Sequence, residues 1–382
     1  MLHRSSVVRP LLGRGFLAGV AALGVTLAGA GCGGGRPPSA ESRRAAFPIA
    51  DAEYAKLGYR IDWIGYPDLT SRRHSIDMIE PYADAVLTLE GGSMVSCLSA
   101  SDGSRRWAEQ LSSQLERFVS LGREGRRVLV SAEDEVYLLD IDTGTIAARQ
   151  RHSRIVSAAP VPYGQTLIYP SGTGELFAHV LTATVDGMKA WGHGFGEALE
   201  RRPVLIGNAV GAVSQNGEVR FLDASGGALV GRARTFKGPI TDPVATGAAM
   251  FIASADQSIY AFRTDGSLLW QHRTPVVLRW QPTARERVLY CAVDGVGLLA
   301  LDAARGTVLW TAKDILGTVV GTNRGRLVVW DGEHAVLLDA ARGDVIERAT
   351  LPRVRLFKPD KFDDGNLYVV SQSGVVAKFA VR

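Results

Sequence analysis

The residues best suited to bind a metal ion form an acidic run near the C-terminus, at residues 360–365. Asp360, Asp363 and Asp364 could offer carboxylate oxygens to Ca²⁺, a cation that prefers oxygen ligands. The run lacks the ordered oxygen spacing of a calcium-binding loop, and it includes the cationic Lys361. A solvated hairpin turn explains this composition better, so we predict no metal site here.

Other residues with catalytic potential show no functional spacing. The histidines that follow Cys32 never form the closely spaced pairs that bind zinc; they are His74, His152, His179, His193, His272 and His334. No Gly-x-Ser-x-Gly motif is present. The glycine-rich run at residues 192–196 does not lead into the helix that a phosphate site requires. We therefore predict no catalytic, cofactor-binding or metal-binding residue, and no enzymatic activity.

Cys32 lies in a segment typical of exported proteins. A basic start is followed by an apolar stretch at residues 16–27 and then by small residues, as in a cleavable signal peptide. The position of Cys32 resembles the lipobox of bacterial lipoproteins, although Gly29 stands where leucine is usual. We predict a signal peptide over residues 1–31 and lipidation of Cys32. The alternative is an ordinary signal peptide, with Cys32 discarded or free.

Residues 33–40 are rich in Gly, Pro and Ser, a composition that suits a flexible tether. We predict that residues 32–58 form a lipidated tether and lead-in, and that residues 59–382 form one folded domain. Cys97 and Cys291 fall in apolar patterns far apart in the chain. They are expected to be buried and unpaired.

The charge of the chain gives no reason to expect nucleic acid as a partner. The net charge of +4 owes much to Arg4, Arg9 and Arg14, which precede Cys32 without any acidic residue. Without them, 40 basic residues face 39 acidic ones. A nearly neutral domain lacks the field that attracts polyanions.

A strand, a tight Asp/Gly turn and a second strand that favours Trp recur about every 40 residues. The clearest copy runs from Asp302 through Gly306 to Trp310. The seven copies lie at residues 99–107, 140–148, 183–191, 223–231, 261–270, 301–310 and 339–347. A repeat of this length and content is typical of a β-propeller, whose blades each contain four antiparallel strands.

The strand count predicts eight blades. After the seventh copy the chain offers three more strand patterns and then ends at Arg382. Residues 59–64, with Trp63 in the Trp position, would supply the fourth strand of that last blade. Joining the N- and C-terminal strands in one blade closes the ring without an open edge. A seven-bladed ring is the alternative.

Five tryptophans occupy the repeat position and are expected to pack between neighbouring blades: Trp63, Trp107, Trp191, Trp270 and Trp310. Large aromatic rings bury much area, and the indole N–H can bond a backbone carbonyl. Three copies have Ala148, Gly231 or Glu347 in this position instead. The corresponding seams should pack less well.

The pattern Leu-Asp-Ala-x-x-Gly-x-x-Leu-Trp at residues 301–310 resembles the tryptophan-docking repeat of the pyrroloquinoline-quinone (PQQ)-type propellers. One branch of that superfamily contains quinoprotein dehydrogenases, which use Ca²⁺ ligands and often adjacent cysteines. The other branch is non-enzymatic and includes the lipoprotein subunit of the outer-membrane β-barrel assembly machinery. This chain has no adjacent cysteines and no matching ligand set, so the resemblance favours the second branch. It implies a lipid anchor in the outer membrane, facing the periplasm.

Basic residues cluster just before or inside the innermost predicted strands and include Arg154, Arg202, Lys237, Arg279 and Arg355. We predict that they form a positive mouth facing a partner; the alternative is a set of solvated loop charges. The expected function is a non-enzymatic scaffold that binds envelope proteins, with outer-membrane protein assembly as its setting. The alternative function is an atypical quinone-dependent dehydrogenase or a small-ligand sensor using the central channel.

Overall fold

The computed structural model describes residues 37–47, 49–71, 74–112, 116–181 and 188–382. The predicted signal peptide and Cys32 therefore lie outside the described residues. Two short helices and a strand come first: α1 (Ala40–Ala46), α2 (Asp51–Lys56) and β1 (Tyr59–Gly65). Within the described part of the chain, no helix is long and apolar enough to cross a membrane.

The strands after β1 form consecutive four-stranded antiparallel sheets, the blades of a propeller. Blade 1 contains β2 (Ile76–Pro81), β3 (Ala85–Glu90), β4 (Met94–Ser99) and β5 (Arg105–Gln110). Blade 2 contains β6 (Phe118–Glu124), β7 (Arg127–Ala132), β8 (Glu135–Asp140) and β9 (Ile146–Arg151). Blade 3 contains β10 (Val161–Tyr163), β11 (Thr166–Pro170), β12 (Glu175–Val180) and β13 (Met188–Gly194). Blade 4 contains β14 (Val204–Ile206), β15 (Ala209–Val213), β16 (Glu218–Asp223) and β17 (Leu229–Arg234).

The second half of the ring repeats this order. Blade 5 contains β18 (Val244–Ala245), β19 (Met250–Ser254), β20 (Ser258–Phe262) and β21 (Leu268–Arg273). Blade 6 contains β22 (Thr283–Arg285), β23 (Val288–Val293), β24 (Gly297–Asp302) and β25 (Val308–Ala312). Blade 7 contains β26 (Thr318–Asn323), β27 (Arg326–Trp330), β28 (His334–Asp339) and β29 (Val345–Thr350). Blade 8 contains β30 (Val354–Pro359), β31 (Leu367–Ser371), β32 (Val376–Val381) and β1.

The eighth blade confirms the predicted closure from both chain ends. Its strand order is β1-β32-β31-β30, and β1 pairs antiparallel with β32 from Tyr59 opposite Val381 to Gly65 opposite Val376. The chain therefore forms an all-β, eight-bladed propeller in which the first strand completes the last blade. The backbone hydrogen bonds between β1 and β32 link the two ends of the ring.

The four strands of a blade, called A to D from the channel outward, differ in burial. The B and C strands are buried on both faces; β19 and β20 of blade 5 are buried at every position. Their nearly continuous apolar sequences follow from the neighbouring blade that covers each face. The D strand β21 alternates instead, with Trp270 buried and its neighbours partly exposed.

The Asp/Gly turn joins strands C and D. In blade 6 the carboxylate Oδ1 of Asp302 accepts the backbone N–H groups of Ala304 (2.9 Å) and Arg305 (2.8 Å). The turn ends at Gly306, whose φ of +70° is costly for a residue with a Cβ. These two requirements explain why Asp and Gly recur four positions apart.

The lead-in helices pack against blades 7 and 8. The Tyr54 ring of α2 stacks on Phe379 of β32 with a centroid distance of 3.7 Å. The guanidinium of Arg43 on α1 is buried and donates to the carbonyls of Pro67 (2.8 Å) and Gly374 (3.3 Å). Burial lowers the pKa of this guanidinium. Helices α1 and α2 are therefore packed against the ring.

The structure places Cys97 and Cys291 in the core and the acidic run in a connection between two strands. Cys97 and Cys291 are free and buried, and burial raises the pKa of the Cys97 thiol to about 11. The acidic run lies in the connection from β30 to β31, where Asp360 Oδ1 accepts the N–H of Asn366 at 3.0 Å. No group of three or more His, Cys, Asp or Glu side chains within the described residues is placed to hold a metal ion.

Candidate functional site

The five repeat tryptophans occupy equivalent positions at the seams between blades. Each donates its indole Nε1–H to the backbone carbonyl that follows strand C of the next blade, over 2.7 to 3.2 Å. The pairs are Trp63 with Ala100, Trp107 with Ile141, Trp191 with Ala224, Trp270 with Ala303, and Trp310 with Ala340. These bonds fix the blades against one another and so hold the loops in place.

Two of the three seams without a tryptophan are closed in other ways. At Gly231 the expectation of looser packing is wrong, because a Cβ there would overlap the backbone of Asp265 and Gly266 in blade 5. The two backbones thus take the space that an indole fills elsewhere. After blade 7, helix α2 helps to close the seam, and the backbone N–H of Thr350 donates to Glu53 Oε2 at 3.0 Å.

The loops that connect one blade to the next all lie at one end of the ring. In an antiparallel blade successive connections alternate between the two ends, so the B–C turns and the D–A connections share one end. We call this the D–A end. Arg154, Arg202, Lys237 and Arg279 lie in D–A connections, and Arg355 is the second residue of an A strand. All five predicted basic residues therefore belong to the D–A end.

Three of these five basic residues have acidic partners. Arg154 Nε lies 2.9 Å from Glu175 Oε2, and Arg355 Nη2 lies 2.6 Å from Asp77 Oδ1. The side chain of Arg279 is more exposed, and its Nε lies 4.0 Å from Asp294 Oδ2. The charge that they present to a partner is therefore reduced. Lys237 and Arg202 form no side-chain ion pair among the described residues, and the two belong to different D–A connections.

Apolar side chains accompany Lys237 at the D–A end. Phe236 is 80 % exposed, the highest exposure among the large apolar residues described. It borders a shallow pocket of about 270 Å³ together with Lys237, Asp256 and Arg273. Ile155 is also exposed on the D–A connection that leads into blade 3. Single exposed apolar residues are common, but an exposed aromatic beside the cations of Lys237 and Arg273 suits protein contact.

The A strands surround a central channel that contains two cavities. The first, of about 500 Å³, is lined by residues of blades 1, 2, 3 and 8 and by Arg202. The second, of about 520 Å³, is lined by the starts of blades 3, 4, 5 and 6 and also by Arg202. Arg202 is thus the cation common to both cavities.

Hydrogen bonds between consecutive blades hold this mouth of the channel. The backbone N–H of Arg202 donates to Asp242 Oδ1, and the backbone N–H of Asp242 donates to Gln281 Oε1, both over 3.1 Å. Thr283 Oγ1 then donates to the carbonyl of Val319 at 2.8 Å. Side chains at the starts of the A strands therefore set the width of the channel mouth.

A buried carboxylate at the D–A end was not predicted. Glu90 is 1 % exposed, and its Oε1 accepts the N–H (2.8 Å) and the hydroxyl of Thr70; His74 Nδ1 lies 3.1 Å away. The cluster pins the connection between β1 and β2 to blade 1. Thr70 and His74 lie outside the repeat pattern, so only their spacing of four residues could have drawn attention to them. His74 Nδ1 faces both the Thr70 hydroxyl and Glu90 Oε1. In a nucleophile relay one ring nitrogen of the histidine bonds the hydroxyl and the other bonds the carboxylate, so this geometry is not that of a relay.

Two further histidines lie between blades 2 and 3: His179 is buried, and His152 is partly exposed but has buried ring nitrogens. Burial, with a smaller effect of neighbouring His179, lowers the pKa of His152 to about 3. Burial also lowers the pKa of His179 to about 4, and its Nε2 lies 3.0 Å from Gln150 Oε1. Both rings are therefore neutral at pH 7 and act as packing elements beside Tyr169.

Comparison with known proteins identifies the family of this propeller. A family model described as outer membrane protein assembly factor BamB matches residues 73–263 and 179–310, which together span more than half of the chain. The chain belongs to this family. A search of curated protein sequences gave no significant match.

Solved structures agree with the fold of the BamB family. BamB from Moraxella catarrhalis matches with a TM-score of 0.63 and 17 % identity, over 83 % of this chain and 97 % of that protein. The computationally designed protein Ika8 matches with a TM-score of 0.68 and 12 % identity, over 84 % of this chain and 99 % of the design. At these identities the likeness concerns the fold alone, and it extends over nearly the whole length of the two solved structures.

Proposed function

We propose that this protein is a lipid-anchored, extracytoplasmic propeller that serves as a non-enzymatic scaffold in outer-membrane protein assembly. The observation that carries the proposal is the family match over residues 73–310, because the family is described as an outer-membrane assembly factor. The closed ring supports it, since a rigid ring can hold many loops in fixed positions at one end.

In this proposal, residues 1–31 are a signal peptide, and acylated Cys32 anchors the protein to the outer membrane on the periplasmic side. Residues 33–39 would link the anchor to the first packed segment, because α1 is already held against the ring by Arg43. Several acyl chains on one residue give stable membrane attachment. The propeller would then work close to the membrane surface.

The partner is proposed to bind at the D–A end of blade 5. Phe236 offers an exposed aromatic anchor, and Lys237 and Arg273 border the same pocket. Such a surface suits an apolar protein segment flanked by acidic side chains, because aromatic anchors and rim charges contribute affinity and orientation respectively. The ion-paired Arg154, Arg279 and Arg355 would contribute less.

A photo-crosslinking amino acid placed at position 236 tests this surface in intact cells. We expect it to crosslink to a component of the β-barrel assembly machinery. The same group at position 188 is the matched control, because Met188 is 67 % exposed but lies at the outer edge of blade 3. Crosslinks from position 188 alone, or none from either position, would contradict the proposed surface.

A further inference from the structure

About half of the lining of the first channel cavity is apolar. Met78, Val119, Leu121, Leu129 and Leu167 contribute to it from blades 1, 2 and 3. The cavity extends from Arg202, at the D–A end, to Glu124 and Gly164, which lie at the opposite end of their blades. Its volume of about 500 Å³ falls within the range of sites for small organic ligands.

Most charges that line this cavity are already neutralised. Lys358 Nζ lies 2.6 Å from Glu80 Oε1, and both residues line the cavity. The cation of Arg123 lies 2.5 Å from Asp84 Oδ1. In the same way, the carboxylate of Glu124 pairs with Arg127 at 2.9 Å. These pairs leave the walls with little preference for the sign of a ligand's charge.

Arg202 differs from these charges. Its guanidinium forms no ion pair among the described residues, and its side chain is exposed where the two cavities meet. The nearby carboxylate of Asp242 lines only the second cavity, and its Oδ1 accepts the backbone N–H of Arg202. Because a guanidinium binds a carboxylate through two parallel hydrogen bonds, Arg202 is well suited to recognise that group.

We propose that the first channel cavity binds an amphiphilic carboxylate, with the carboxylate on Arg202 and the apolar chain along the channel wall toward Glu124. A free fatty acid and an apolar peptide with a free C-terminus both have this chemistry. The chain would displace water from the apolar wall, which supplies most of the binding free energy. The guanidinium would fix the orientation. This site is separate from the proposed partner surface at Phe236.

Isothermal titration calorimetry of the purified full chain tests the proposal. The probes are dodecanoate below its micelle concentration, dodecanol, and an apolar hexapeptide with either a free or an amidated C-terminus. We expect one site, which binds at least one of the two carboxylates about tenfold or more tightly than its uncharged counterpart. Preference for dodecanoate would indicate the fatty acid as the source, and preference for the peptide acid would indicate a chain terminus.

The variant Arg202→Gln should weaken carboxylate binding about tenfold and leave binding of the uncharged probe unchanged. The matched control is Arg201→Gln, because Arg201 is adjacent in sequence but does not line either cavity. Absence of binding by both carboxylates, or equal affinity of Arg202→Gln and the native protein, would overturn the proposal. Because Arg202 is exposed, its replacement is expected to leave the fold intact, and the unfolding temperature of the variant checks this point.

Discussion

The indole of Trp270 in blade 5 covers Gly306 in blade 6 so closely that a Cβ at position 306 would lie 2.5 Å from Cδ2 of the ring. The same indole donates to the carbonyl of Ala303 at 3.0 Å. Gly306 is therefore required twice, once for its positive φ and once for the space that the neighbouring blade occupies. This relationship recurs at the other four tryptophan seams.

Comparing Gly306→Ala with Gly125→Ala should separate the effect of the positive φ from the effect of the contact with Trp270. We expect Gly306→Ala to lose at least about 2 kcal/mol in the free energy of unfolding, because strain at positive φ adds to the clash with Trp270. The matched control is Gly125→Ala, where φ is +56° but no atom lies within 4 Å of the added Cβ. It should cost only about 1 kcal/mol. Denaturant unfolding measures both; equal losses would show that the indole contact contributes nothing.

Gly231 should be as intolerant as Gly306, although it occupies a position that holds tryptophan in other blades. The variant Gly231→Ala should lose at least about 2 kcal/mol in unfolding free energy, since the added Cβ meets backbone atoms of blade 5 that cannot rotate away. Gly226→Ala serves as the control in the preceding turn, where the nearest atom is 3.4 Å from the Cβ. A stable Gly231→Ala variant would indicate that the seam between blades 4 and 5 is open.

Tyr54 tests the role of the lead-in helices in closing the ring. The ring of Tyr54 stacks on Phe379, whereas its hydroxyl is buried without a hydrogen-bond partner within the described structure. Burial accordingly raises the pKa of this hydroxyl. Tyr54→Ala should cost about 3 to 5 kcal/mol in unfolding free energy by leaving a cavity. Tyr54→Phe should be neutral or stabilise by about 1 kcal/mol, because it removes the unsatisfied hydroxyl.

Hydrogen exchange locates the effect of these two variants. In Tyr54→Ala, the amides that join β1 to β32 should exchange faster, while those of blade 3 should not change. A Tyr54→Phe variant as unstable as Tyr54→Ala would contradict the stacking account and indicate that the hydroxyl has a partner.

Acid should destabilise the protein through His152 and His179. The folded-state pKa values of His152 and His179, about 3 and about 4, lie below the ordinary value of 6.5. As the pH falls, the unfolded chain therefore binds more protons than the folded chain does. The contribution of each histidine to the free energy of unfolding is fully present above pH 6.5. It decreases as the pH approaches 4, by up to about 1.4 kcal/mol per pH unit for each histidine. Denaturant unfolding of His152→Gln should give a shallower dependence between pH 6.5 and 5. An unchanged slope would contradict this assignment.

The ring could be predicted from the sequence because its determinants are local and repeated. Asp302, Gly306 and Trp310 lie within one turn and its flanking strands, so each copy carries its own signal. The D–A end could not be predicted in the same way. Its ion pairs join distant residues such as Arg355 and Asp77, which are 278 positions apart, and such pairs leave no spacing to detect. The tight seam at Gly231 was not predicted because the absence of a side chain suggests a gap, and only the structure shows that the backbone of blade 5 fills it.

The candidate site shows the same division. The sequence indicated which basic residues precede the A strands, and the structure placed all of them at the D–A end. Only the fold reveals that Arg154, Arg279 and Arg355 form ion pairs, whereas Arg202 and Lys237 form none within the described part of the chain. The exposed position of Phe236 was also invisible in the sequence, because a lone aromatic residue between strands is more often part of the core.

The most direct test of the proposed role measures how fast a β-barrel outer-membrane protein reaches its folded form in cells. Pulse-labelled cells that lack this protein would be compared with cells that carry the native chain, Phe236→Ser or the control Met188→Ser. We predict slower assembly without the protein, incomplete restoration by Phe236→Ser, and full restoration by the native chain and by Met188→Ser. Assembly at the native rate in cells that lack the protein would contradict a role in outer-membrane protein assembly.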